Sequence, residues 1–359
     1  MADKYELWFS HLYDVSFYVR FRLLEYFGSA EEVFKHGALH IDNVKNIPAE
    51  AKCKITRIKS CIIPEKLEEY IQLNDINVIG ISDSLYPELL KNIENPPFLL
   101  YYKGKIPEAE QLWINIIGAR RCSEYGRSVA FRLSGDLARK GAVVVSGMAR
   151  GLDSQAHLGA LDGQGKTVAV LAGGVDMCYP PENRDLYQSI IGNGCVMSEC
   201  PPKTEVKPWM FPVRNRILSG LCRGTLVVEA DIKSGTMITV DSALNQGREV
   251  FAVPGNITSR FSTGTNALIK DGAHVVRSAE DVLDVFGTYL EEPENAEEEM
   301  LEGLEPGEIA VYKIITYEPE SVENIQLISG LEYRQLQFVL TNLELKGRIK
   351  KLPGQRYAR

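Results

Sequence analysis

Four arginines, a scatter of glycines and one Ser-Gly-Thr turn are the residues of this 359-residue chain whose types and spacing suit them to hold an anion. Arg120 follows Gly118 and Ala119 at the end of an apolar run, Arg150 lies in Ser146-Gly147-Met148-Ala149-Arg150-Gly151, and Arg214 and Arg216 flank Asn215. A guanidinium offers a planar fork of donors that matches phosphate oxygens, and glycine lets backbone amides approach the same group closely. Ser234-Gly235-Thr236 stands just ahead of a helical pattern, where free amides and the positive end of the helix dipole favour a negative charge. The ligand these residues suit is anionic. Asn215 is placed to reach a base edge or a sugar, and equally to cap a helix read from about residue 215. Tyr125, Tyr179, Trp209, Phe211 and Phe261 lie in or near the same loops. Rings beside arginines are what sequence-tolerant binding of single strands needs, although several of these, Phe211 among them, are equally suited to the core.

Bringing such scattered residues together requires a scaffold, and the chain supplies one between about 112 and 286. Apolar segments at 114–119, 142–146, 167–172, 195–198, 225–229, 249–253 and 274–276 read as strands. Helical patterns at about 124–140, 153–162, 183–192, 215–222, 236–246 and 265–271 separate them. This alternation predicts an α/β fold, a Rossmann-like doubly wound and mostly parallel sheet with right-handed crossovers. Ligands in such folds sit outside the carboxyl ends of the strands. The glycine-rich and arginine-bearing loops fall at those ends, so five of them converge on one edge of the sheet. The turn at 114–126 is the first wall of that groove, with Arg121 beside Arg120 at its mouth.

The common phosphate and nucleophile signatures are missing. There is neither Gly-x-x-x-x-Gly-Lys-Ser/Thr nor Gly-x-Gly-x-x-Gly nor Gly-x-Ser-x-Gly, so a P-loop NTPase, a standard dinucleotide enzyme and a serine hydrolase are not favoured. Glu199 and Glu229, near strand ends, suit an acid–base pair, but more often orient neighbouring arginines. His157 reads as a buried histidine at the helix of Asp153 in preference to a base.

The flanks have different compositions. Residues 1–72 read as a small helical domain, a partner or accessory module whose negative charge disfavours contact with a DNA backbone. Residues 73–111 read as an extended strap packing on the core. Residues 287–308 carry nine acidic and no basic residues, which predicts a solvated linker. Residues 309–359 show three helical patterns followed by a hairpin around Pro353-Gly354, the winged-helix arrangement. Arg348, Lys350, Lys351 and Arg356 on its wing suit either phosphate or a partner surface, and Arg334, Gln335 and Gln337 on its third helix carry donors for base edges.

The net charge of -8 is concentrated in the linker; segment 112–286, taken with Gln111, has 19 basic against 17 acidic residues, which permits phosphate binding without demanding it. Seven cysteines, none spaced Cys-x-x-Cys, read as reduced thiols without metal. No apolar stretch has the length of a membrane span and no signal pattern is seen, so a cytoplasmic location is expected.

Taken together, Gly-Ala-Arg, Ser-Gly-x-Ala-Arg-Gly-x-Asp-x-x-Ala-His, Phe-Pro-x-Arg-Asn-Arg, Val-Glu-Ala-x-x-x-Ser-Gly-x-x-x-Thr, Arg-Glu-Val-Phe-Ala-Val-Pro-Gly and Gly-Thr-Asn-x-Leu-Ile-x-x-Gly-Ala resemble the DNA processing protein A family (DprA, also Smf). The resemblance spans 112–286, and the flanking modules agree with longer family members. It implies a non-enzymatic protein without cofactor that binds single-stranded DNA, dimerises, and helps load the RecA recombinase during natural transformation. It also implies that Arg120 lies in the DNA pocket, with Ala119 in place of the usual serine. A basic residue that often follows Tyr-Pro in the family is Pro181 here, and Arg184 is the nearest substitute. The competing reading is a Rossmann-like enzyme that hydrolyses nucleotides, with Glu199 or Glu229 as acid or base. A third is a duplex-reading regulator built on the winged helix.

Overall fold

A computed structural model of the chain describes residues 2–287, 301, 303–316 and 319–358. These divide into two compact units, 1–291 and 292–359. Most of the expected acidic linker, residues 288–300 and 302, lies outside the described residues.

The first unit opens with helices α1 (Lys4–Phe9), α2 (Phe17–Phe27), α3 (Ala30–His40), α4 (Ala49–Cys61) and α5 (Pro64–Leu73). Their starts are set by caps: Asp3 and Glu6 form a capping box, and the Ser16 and Ser29 side chains accept from the third amide beyond each. Trp8, Phe9, Leu12, Leu23, Val33 and Ile55 close a small core of their own.

The strands are β1 (Asn77–Gly80), β2 (Leu99–Gly104), β3 (Trp113–Ile117), β4 (Val143–Ser146), β5 (Thr167–Val170), β6 (Cys195–Ser198), β7 (Gly224–Val227), β8 (Glu249–Ala252) and β9 (His274–Val275). They form one sheet in the order β1-β2-β6-β5-β4-β3-β7-β8-β9, parallel from β6 to β9 and antiparallel at β1 and β2. The expected strap is therefore not laid over the core: its two extended runs pair into the sheet edge, joined through the short helix α6 (Glu88–Lys91).

The winding runs from β3 outward to β6, then returns to the other side of β3 for β7, β8 and β9. The point of reversal, between β3 and β7, is where a crevice opens beyond the strand ends. Period-two alternation sorts the core onto both faces. Trp113, Ile117, Val143 and Val145 face one layer, and Ile114, Ile116 and Val144 the other. Helices α7 (Glu124–Arg139), α8 (Leu152–Asp162), α9 (Arg184–Asn193), α10 (Met210–Gly220), α11 (Gly235–Asn245), α12 (Thr263–Lys270) and α13 (Ala279–Val285) make the crossovers and the end of the unit. Helix α10 begins five residues before the expected 215, so Phe211–Arg216 is helix and not loop, and Asn215 caps nothing.

The second unit has α14 (Pro306–Ile314), α15 (Val322–Ser329) and α16 (Tyr333–Leu345), with strands β10 (Glu320–Ser321), β11 (Lys350–Leu352) and β12 (Arg356–Ala358). This is the winged helix, with Pro353 and Gly354 in the turn of the wing. Its first helix takes in three residues assigned to the linker. Glu308 is buried there, closes a capping box with Glu305 and pairs with Lys346 at 2.6 Å.

Candidate nucleic-acid interface

A cleft of about 430 Å³ opens beyond the strand ends, lined among others by Arg120, Gly147, Arg150, Tyr179, Phe211 and Arg214. Its construction starts with packing. Gly151 has φ +82, and a Cβ there would stand 2.5 Å from the Ala119 carbonyl oxygen and 2.6 Å from that of Arg120. Only glycine lets the start of α8 press against the turn after β3, which fixes the backbone from which Arg120 projects. Gly118 belongs to the same packing, with Leu152 filling the space of its missing side chain. These glycines serve close approach of chain to chain.

The exposed Arg120 guanidinium lies over the Phe211 ring, 4.5 Å from its centroid, and Tyr179 stands 6.0 Å from the same ring. Arg150 is exposed and pairs with Glu182 across the rim. Such exposed pairs contribute little and exchange readily for another anion.

Arg214 plays a different part. It is 5% exposed and donates to the carbonyls of Gly147 (2.9 Å) and Val170, and to Asn215 Oδ1 at 3.2 Å. Gly147 is glycine because the guanidinium occupies the place of a side chain, 2.5 Å from an ideal Cβ. Burial holds the Arg214 pKa down at about 10, against the pull of Asp153. Burial also raises the pKa of Asp153, while Arg214, the Ala149 amide and Arg120 act the other way. The floor of the cleft is thus the buried Arg214, with Asp153 near enough to favour its charge, and Arg120 above it is an exposed cation with no ion-pair partner among the described residues.

Several residues expected at the anion do not line this cleft. The Ser146 hydroxyl is buried and donates to the Ile116 carbonyl at 2.7 Å. Arg216 is bound with Arg20 of α2 to the buried Glu199 carboxylate. Arg184 is exposed at the start of α9, and neither it nor Arg121 lines the cleft. Ser234, Gly235 and Thr236 form an open helix start after β7, outside the cleft lining. Tyr125 and Phe261 are also outside it, and Trp209 lines a neighbouring cleft. The N-terminus of α7, at the end of the 114–126 turn, already holds a carboxyl group: Ser123 donates to Glu229 from its amide (2.9 Å) and from its hydroxyl.

His157 is fully buried. Thr167 donates its hydroxyl hydrogen to the Val144 carbonyl, so the ring donates to Thr167 from Nδ1, at 2.7 Å. Burial, then Arg214, holds its pKa down at about 3, and the imidazole is neutral at pH 7. Among the described residues no cluster of His, Cys, Asp and Glu suits a metal ion, and no helix is long and apolar enough to cross a membrane.

A Rossmann-type sheet with an arginine- and aromatic-lined cleft at its strand ends, followed in the chain by a winged helix, defines the class of protein. Within that class the assignment is specific. The model of the DNA recombination-mediator protein A family matches residues 77–287, and that of the DprA winged helix domain matches 294–355. DNA processing protein DprA of Bacillus subtilis is 41% identical over 223 residues, 62% of this chain and 75% of that one. The X-ray structure of DNA processing protein A from Streptococcus pneumoniae aligns with a TM-score of 0.68 at 32% identity, over 79% of this chain and 98% of that one. The Helicobacter pylori DNA processing protein A, described with a single-stranded DNA binding mode, aligns with a TM-score of 0.52 at 28% identity, over 59% and 95%. The chain belongs to the DNA processing protein A (DprA/Smf) family, and its role is that of a recombination mediator.

Proposed function

We propose that the cleft binds single-stranded DNA, and that the protein hands the strand to the RecA recombinase without turning it over chemically. The observation that carries this reading is Arg120 lying on Phe211 at the open side of the cleft, with Tyr179 beside it. A cation and exposed ring faces in one groove serve phosphate and unpaired bases, whereas a duplex keeps its bases stacked away from both. The cleft lining includes no carboxylate, imidazole, thiol or hydroxyl nucleophile apart from the Tyr179 phenol. Glu199 is tied to two arginines and Glu229 to Ser123, which supports binding over the hydrolysis of nucleotides. The action is cytoplasmic, on incoming DNA during transformation, and the working unit is a homodimer. The apolar Ile232, Ile238 and Leu244, all exposed around α11, support self-association.

The test is a titration of single-stranded and duplex oligonucleotides against the full chain across a salt series. Tighter binding of single strands, with log K falling linearly in log salt, is expected. Preference for duplex would transfer the function to the winged helix, and release of free base from nucleotides would make the protein an enzyme.

A further inference from the structure

Beside the first cleft lies a second, of about 260 Å³, between the N-terminal helices and the sheet. The two share Leu171, Ala172 and Arg214 in their walls, so they adjoin. Trp209, at the start of α10 and two residues before Phe211, lines this second cleft and remains 45% exposed. Its ring is nearly parallel to that of Tyr13, at 7°, with centroids 6.5 Å apart. The Lys54 ammonium lies 5.1 Å from the Tyr13 centroid and meets the Asp14 carboxylate. Arg57 and the exposed Lys207 are close enough to repel its charge.

The wall is fixed in place. Arg20 of α2 donates to Glu199 at 3.4 Å, Arg216 of α10 donates to the other carboxylate oxygen, and all three groups are largely buried. The pairing ties the N-terminal helices to the sheet, so the aromatic pair is held ready before any ligand arrives.

We propose that this cleft is a second subsite for single-stranded nucleic acid, in which Trp209 and Tyr13 stack a base and Lys54 and Lys207 meet the phosphates beside it. The N-terminal helices then form part of the strand-binding surface. The proposal rests on the strand-binding reading of the first cleft. It extends the path from the ring of Phe211 to that of Trp209, two residues earlier at the start of α10. An aromatic face with Lys54, Arg57 and Lys207 nearby matches a polyanion that carries rings, since the two acids there are already engaged, Asp14 by Lys54 and Glu199 by two arginines.

The chain has three tryptophans. Trp8 and Trp113 are buried, at 0% and 6%, so a change of emission on strand binding reports on Trp209. Titrating the full-length protein with a thymidine oligonucleotide is expected to quench the emission, and Trp209→Phe to remove the quench. Trp209→Ala is expected to weaken binding by roughly 5- to 150-fold, the range of one stacked base. Lys54→Ala with Lys207→Ala is expected to lower the slope of log K against log salt by about 1.4, as for two lost phosphate contacts. Saturable binding seen by anisotropy, with unchanged emission and wild-type affinity for Trp209→Ala, would overturn the subsite and leave the Arg120 cleft standing. Absence of strand binding by the wild type would overturn both.

Discussion

Arg120 and Arg214 have the same side chain and opposite duties, and burial separates them. Arg214 completes the floor, its guanidinium held by two backbone carbonyls and Asn215, with Asp153 near enough to favour its charge. Arg120 lies exposed on a ring and has donors to spare. Adding a methyl group at Gly147 pushes directly on the Arg214 guanidinium. Gly147→Ala is therefore expected to cost about 1–3 kcal/mol of stability, read as a lowered urea midpoint, as overpacking of a tight site does. An unchanged midpoint would show that the guanidinium has room to move. His157 gives a pH signature. The unfolded chain takes up a proton on this ring below pH 6.5, and the folded one not until about pH 3. Stability conferred by His157 is thus present above pH 6.5 and falls through that window by about 1.4 kcal/mol per pH unit. Urea midpoints measured from pH 7 to 5 should drop more steeply for the wild type than for His157→Asn; parallel profiles would contradict the buried neutral ring.

At the scale of elements, the α7 N-terminus shows how a helix start that suits an anion can be filled from within. Glu229, the residue two beyond the end of β7, caps the helix that follows β3, its neighbour in the sheet. Glu229→Gln keeps a hydrogen-bond acceptor but loses the charge at the dipole, and is expected to lower stability by about 0.5–2 kcal/mol while leaving strand affinity near wild type. A large loss of affinity with stability intact would instead place Glu229 at the ligand. This pairing was hidden in the sequence, because it joins residues 106 apart in the chain through a sheet order that periodicity does not reveal. The same holds for Arg20 and Glu199. Strand positions were legible, since fully buried parallel strands leave short apolar runs between turn residues. The start of α10 was not: Phe211 and Pro212 read as loop, although a proline in the first turn of a helix lacks only an amide that has no partner there. The glycines were legible as marking one edge, but their reason, close approach of loop to loop, needed the neighbours in space.

At the scale of the molecule, the first unit carries both clefts within one body, and the winged helix forms a separate unit. Residues 1–291 are expected to bind single strands with an affinity near that of the full chain, because the lining residues of both clefts belong to that unit. Loss of binding on truncation would assign the strand to the winged helix. Whether Arg120 meets DNA is read by anisotropy titration of a labelled single strand with wild type, Arg120→Lys and Arg120→Ala. Arg120→Ala is expected to weaken binding about tenfold or more, with Arg120→Lys recovering the charge but not the planar fork or its stacking on Phe211. Equal affinities for all three proteins would contradict it.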